Sequence, residues 1–183
     1  MNETLHSAAV GIVLLVVSGL VAAPAPVAAA NPPALFFSDL ESGPDSGGEN
    51  GHGAYVTLWG RGFGATRGGS TVTVGGGAAV AYPVWSDTRV TFQLGAAAGT
   101  GSIVLTTVSG ASNALPFTVR SGEIRFVSTT GSDGNDGSFA HPWATVVHAK
   151  NTMAAGDITY LMEGVTATAE ENASAAVAIE RGG

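Results

Sequence analysis

From residue 34 to residue 119 the apolar positions come in short runs, alternate with polar ones, and are parted by turn residues. Ala54-Tyr-Val-Thr-Leu-Trp59 shows the period. Tyr55, Thr57 and Trp59 fall on one face, Val56 and Leu58 on the other, which is the alternation of a half-buried strand. Ala34-Leu-Phe-Phe-Ser38 precedes it; residues 71–74, 78–82, 89–94, 102–108 and 115–119 repeat it. Gly75-Gly-Gly, Ser86-Asp-Thr, Ala98-Gly-Thr-Gly and Ser109-Gly-Ala-Ser-Asn separate the runs. Short strands at this spacing predict an antiparallel β-sandwich. Gly60-Arg-Gly-Phe-Gly64 fits a phosphate loop only loosely: no helical pattern and no Lys-Ser/Thr follow it. A bend that turns Phe63 into the core is the better reading.

The pattern changes after Ser121-Gly122, which reads as a short hinge. Glu123-Ile-Arg-Phe-Val127 is a strand, and residues 131–138 form a loop of Gly, Ser, Asn and Asp. Pro142 is placed to open a helix, with Ala144, Val146, Val147, Ala149 and Met153 as its apolar stripe over about three turns. Gly156-Asp157 ends it, and Ile158-Thr-Tyr-Leu-Met162 is the next strand. Residues 170–174 read as a polar loop and 175–179 as one more strand.

Composition narrows the classes. The 183 residues carry 7 Lys and Arg against 14 Asp and Glu, a formal net charge of -7. No basic patch is available for a phosphate backbone, so nucleic acid is not an expected partner. The absence of cysteine excludes disulfides, thiolate zinc sites and a cysteine nucleophile. Residues 8–23 are an apolar run broken only by Ser18, short of the about 20 residues that span a bilayer. Pro24, Pro26 and the small residues Ala28-Ala29-Ala30 follow, as at a signal cleavage site. The segment before the run has Glu3 and His6 and no Lys or Arg, a departure from the usual signal. A signal peptide over 1–30, with no membrane association beyond it, predicts a bacterial secreted or cell-surface protein.

The candidate chemistry is sparse. Asp45, Glu49 and His52 lie in the loop 41–53 without ligand spacing, so a solvated loop is expected. Asp133, Asn135 and Asp136 are clustered oxygen donors, as a calcium loop requires. They lack the spacing of the helical calcium loop, and Asp and Asn beside Gly equally serve a tight turn; the turn is preferred. His141 and His148 are seven apart without a third ligand, which leaves zinc unsupported. Trp59, Tyr82 and Trp85 would form a sugar platform if exposed, since sugars stack on rings through their apolar faces. Core filling is the preferred reading for Trp59 and Trp85. No residue is assigned a catalytic, cofactor or metal role, and no cofactor is expected.

Two resemblances add to this reading. Val56-Thr-Leu-Trp-Gly-Arg-Gly-Phe-Gly64, Val72-Thr-Val-Gly-Gly76, Val84-Trp-Ser-Asp-Thr-Arg-Val90, Gly99-Thr-Gly-Ser-Ile-Val104 and Ser112-Asn-Ala-Leu-Pro-Phe117 resemble, in order and spacing, the immunoglobulin-like IPT/TIG family over residues 33–119. That implies an immunoglobulin-like sandwich used for spacing, interaction or glycan contact, with no shared catalytic residues. Phe126-Val-Ser128, Gly131-Ser-Asp133, Asn135-Asp-Gly-Ser138, His141-Pro-Trp-Ala-Thr145, Ala149, Gly156-Asp157, Tyr160-Leu161 and Gly164-Val165 resemble the N-terminal start of right-handed parallel β-helix proteins of the pectate-lyase type. Relatives often carry Pro where Asp136 stands, which counts against a required metal ligand there. Thr166 replaces a usual Tyr, so an irregular following rung is expected.

The resemblance implies that residues 123–183 are an incomplete β-helix whose capping helix covers the first rung. In the related lyases the catalytic basic residues and calcium ligands lie on later rungs. Here Lys150 and Arg181 are the only basic residues after Arg125, and neither matches a catalytic motif. The expectation is therefore a mainly β fragment of a secreted protein that binds or processes polysaccharide, not itself catalytic. The alternative is a non-catalytic surface binding or adhesion protein.

Overall fold

The structure, a computed structural model, describes residues 31–166. The expected signal segment, the strand at 175–179 and Arg181 lie outside the described residues. The chain is mainly β, and its first part is an immunoglobulin-like pair of sheets. The first sheet has the order β1-β3-β7-β6, with β1 Ala34–Ser38, β3 Tyr55–Arg61, β6 Ala81–Trp85 and β7 Arg89–Gln93, all antiparallel. The second runs β2-β10-β8-β4-β5, with β2 Ser42–Gly43, β4 Thr71–Val74, β5 Gly77–Ala78, β8 Gly101–Thr107 and β10 Leu115–Val119. A short β9, Gly110–Ala111, folds back on β8. The β2–β10 pairing is parallel. Six of the seven expected strands are present within a few residues of their expected bounds, because period-two alternation is the strongest signal a half-buried strand leaves in a sequence; the strand expected at 78–82 instead divides between β5 in the second sheet and β6 in the first.

Alternation also decides what the sheets bury. Leu35, Val56, Leu58, Val90 and Phe92 from the first sheet meet Val72, Val74, Ile103, Leu105 and Phe117 from the second. Phe63 joins them, 1 % exposed. It gets there because β3 ends at Arg61 and Gly62 takes a φ of +74°, a left-handed conformation that glycine adopts without a Cβ penalty. The bend expected at Gly60–Gly64 is therefore present.

Two expectations are corrected in the loop 41–53 and at the hinge. The loop is not simply solvated. Pro44, Gly48 and Gly53 are buried, and the Gln93 amide donates to the carbonyls of Glu49 and Gly53, both at 3.1 Å. Those buried carbonyls need partners, and Gln93, 1 % exposed, provides them. Ser121-Gly122 is not a free hinge either. The Arg120 guanidinium donates to the carbonyls of Ser121 and Gly156. Ile124 and Phe126 belong to the same buried cluster as the sandwich, with Ile158, Tyr160 and Met162 packed against it.

The trailing block holds a parallel pair, β11 Ile124–Val127 and β12 Ile158–Leu161, joined through α1 Val146–Thr152. The other edge of β11 is taken by a parallel bridge from Val127 to Trp143. One short helix and one small parallel sheet are what the described residues contain here. The helix is shorter than expected and begins after Pro142, not at it. Thr145 is its N-cap, its side chain accepting from the His148 N–H at 3.1 Å, a satisfied orphan donor that sets the start. Of the expected stripe only Ala149 is buried within the helix; Val147 is 40 % and Met153 37 % exposed.

Candidate functional site

The outer face of the β1-β3-β7-β6 sheet carries the exposed aromatic surface. In β3 the burial alternates so that Tyr55, Thr57, Trp59 and Arg61 point away from the core. In β1 the pairing with β3 slips between Leu35 and Phe37. A bulge of this kind inserts an extra residue and re-aims side chains. Both phenylalanines end up outside: Phe36 is 59 % and Phe37 55 % exposed. Phe37 sits opposite Trp59 in register, and the rings stack at 4.9 Å between centroids, 13° from parallel. Trp59 in turn sits opposite Arg89 of β7. The row Phe37–Trp59–Arg89 crosses three strands, about 10 Å at the usual interstrand spacing.

The rest of this face is held by polar side chains. Thr57 and Thr91 share a hydroxyl–hydroxyl bond of 3.0 Å. The Thr57 N–H donates to Asp39 Oδ1 at 2.7 Å, which ties the chain leaving β1 to β3. Further along, the Tyr55 hydroxyl donates to Glu49 Oε2 at 2.7 Å, and the Tyr160 hydroxyl accepts from the Tyr55 N–H at 2.8 Å. Partial burial first, and then the Glu49 carboxylate, push the Tyr55 pKa well above the ordinary phenol value. Tyr160, also burial-raised, packs edge-on to Tyr55.

The three rings named from the sequence separate. Trp59 is not core, contrary to the preferred expectation; it lies half-buried on the outer face beneath Phe37. Trp85, expected in the core, is half-buried and packed against its margin, and Tyr82 packs beside it. The Trp85 indole donates to the Gly64 carbonyl at 3.1 Å, the Tyr82 hydroxyl accepts from the Val72 N–H at 2.8 Å, and Arg67 lies over the Tyr82 ring at 4.7 Å. Their polar tips are thus spent on the fold. Phe36 and Phe37 were missed as surface residues. The signal was present: adjacent apolar residues in a strand point to opposite faces, so at least one of the two must leave the core.

The loop 131–138 is turn chemistry. Asp133 Oδ1 accepts from the N–H groups of Ala144 and Thr145, and its Oδ2 from the Thr145 hydroxyl, at 2.8–2.9 Å. Desolvation opposes ionisation, but these bonds, with His148 nearby, bring the Asp133 pKa below the usual carboxylate value. Asp136 accepts from the Ser138 N–H, first among the causes that lower its pKa, and Asn135 donates to the Pro142 carbonyl. Both Asp133 carboxylate oxygens and Asp136 Oδ1 are thus engaged by the chain. His148 lies edge-on to Trp143 and His141 precedes the helix, so the two do not share a helix face. Among the described residues no three His, Asp or Glu side chains are grouped to hold a metal.

A shallow depression of about 200 Å³ is lined by residues including Phe63, Arg67, Ser70, Thr107 and Val108. That is small beside the about 300–1,000 Å³ of ordinary ligand pockets. Among the described residues no helix is long and apolar enough to cross a membrane.

Residues 40–119 match the family model of the IPT/TIG domain, so the chain carries such a domain there. No curated protein matches the chain. Among solved structures, the chain is similar to an auxiliary nutrient binding protein from Bacteroides thetaiotaomicron, at 18 % identity and a TM-score of 0.42 over 49 % of this chain and 21 % of that one. It is similar to a candidate phosphatase of the same organism, at 18 % identity, TM-score 0.40, 49 % of this chain and 18 % of that one. It is also similar to SGBP-B from a complex xyloglucan utilization locus in Bacteroides uniformis, at 22 % identity, TM-score 0.36, 49 % of this chain and 23 % of that one. The chain thus spans under a quarter of the length of each.

Proposed function

We propose that the chain is a non-catalytic polysaccharide-binding protein, secreted or on the bacterial cell surface, that holds a glycan on the outer face of its four-stranded sheet. The observation behind this is the exposed Phe37 ring buttressed by Trp59. A stacked pair is a stiff platform, so a sugar that lays its apolar face on Phe37 orders little that is not already ordered. In this reading residues 1–30 are an export signal, 33–119 the binding module, and 123–183 the start of a parallel β-helix. The parallel pairing of β11 and β12 through α1 supports the last assignment. An experimental structure of the chain in which residues 167–183 add a parallel strand to β12 would support it further; a strand placed elsewhere would overturn it.

The binding reading is tested by affinity electrophoresis of the full chain through a panel of plant and bacterial polysaccharides. Phe37→Ala and Trp59→Ala should each weaken retention by at least about tenfold, the cost of losing an aromatic anchor. Val108→Ser, at a fully exposed position in the turn after β8, should leave it unchanged. Retention of wild-type strength in Phe37→Ala would sink the site.

A further inference from the structure

The five described arginines differ in what they do. Arg67 lies over the Tyr82 ring. Arg120 donates to Ser42, Ser121 and Gly156. Arg125 donates to the Asp136 carbonyl, pairs with Glu123 at 3.5 Å and faces Trp143. The two that remain are Arg61 and Arg89. Their side chains are exposed, and among the described residues they enter no ion pair, hydrogen bond or ring contact. Both lie beside the aromatic stack. Arg89 is the cross-strand neighbour of Trp59, and Arg61 follows Trp59 by two residues on the same strand face. Cross-strand partners stand about 5 Å apart at Cβ, well within the reach of an arginine side chain.

This placement goes against the charge of the whole chain, which is -7. The carboxylates adjoining the patch in sequence, Asp39 and Asp87, are each engaged by a backbone N–H, of Thr57 at 2.7 Å and of Gly64 at 2.9 Å. The arginine forks are left with ten N–H donors between them, and a guanidinium fork matches a planar carboxylate in two parallel bonds.

We propose that the glycan taken by this face is anionic, an acidic polysaccharide whose carboxylate or sulfate groups are read by Arg61 and Arg89 while a sugar ring stacks on Phe37. This rests on the binding reading above and adds the charge of the ligand to it. The ring supplies adhesion that any sugar can share; the arginines supply discrimination between charged and neutral chains.

Polygalacturonate and its fully methyl-esterified form share one backbone and differ in charge, and dextran sulfate and dextran do the same for sulfate. Binding of the full chain to these four polymers is measured at low salt, for wild type, Arg61→Gln/Arg89→Gln and Phe37→Ala. The expected result is that wild type favours one acidic polymer over its neutral partner by about tenfold, and that the double substitution abolishes the preference while keeping the neutral affinity. Which acidic polymer is favoured identifies the group, carboxylate or sulfate. Equal binding of charged and neutral forms, lost in Phe37→Ala, overturns the inference and leaves the binding reading standing. An acidic preference that survives the double substitution overturns it as well. Failure to bind any of the four, together with indifference of Phe37→Ala across the wider panel, overturns both.

Discussion

The sandwich and the block that follows it are stabilised differently. The sandwich closes two sheets over sixteen buried hydrophobic residues, two of which, Ile124 and Phe126, come from the following block. That block's own buried cluster is Val127, Trp143 and Ala149. It compensates with a glycine cradle. Gly137 has a φ of +76°, and a Cβ there would come within 2.6 Å of the Trp143 ring, so only glycine at this position lets the loop 131–138 wrap the indole this closely. The Trp143 indole then donates to the Asn135 carbonyl at 2.9 Å. A large core tolerates an exposed aromatic outer face. A small one spends its polar residues on holding itself together, which is why the Asp-Asn-Asp loop is structural and the open aromatic face belongs to the sandwich.

The contrast is broken most strongly by removing one large ring from each region. Phe92→Ala and Trp143→Ala should each cost about 3–5 kcal/mol, but with different reach. Hydrogen exchange should show protection falling throughout the chain for Phe92→Ala, and chiefly in residues 124–161 for Trp143→Ala. Uniform loss in both would mean that the two regions are one cooperative unit. The junction is tested next by Tyr160→Phe, which strips the acceptor from the Tyr55 N–H and should cost about 1–3 kcal/mol in denaturant unfolding. No change would mean that water replaces the hydroxyl.

Asp133→Ala should cost about 1 kcal/mol and fray α1, read by exchange of the His148 and Ala149 amides. The folded pKa of Asp133 is depressed. Its contribution is therefore present above the unfolded value of about 3.9 and lost as pH falls through the folded one. In Asp133→Ala that acid-side loss should shrink. The smallest effect lies at the alkaline end. The Tyr55 pKa is raised, so its contribution is complete below the unfolded value of about 10 and lost as pH rises beyond it. Tyr55→Phe should flatten that decline; an identical decline would assign it elsewhere.

Local pattern was enough for the strands. Alternation from Ala54 to Trp59 placed Val56 and Leu58 inside, and it held because each face of a strand sees one environment. It was enough, too, for the bend at Phe63. What it did not contain was the result of long-range pairing. The slip between Leu35 and Phe37 arises from how β1 meets β3, and it turned Phe37, which alternation from Leu35 would place inside, to the surface beside Phe36. The start of α1 was moved from Pro142 to Val146 because Trp143 was claimed by Val127, with Thr145 left to cap the helix. The supposed hinge was closed by Arg120 reaching a carbonyl thirty-six residues away. Composition and periodicity determined which residues prefer burial and at what spacing. Only the tertiary structure decided which aromatic rings found a place inside, because burial depends on the partner across the sheet.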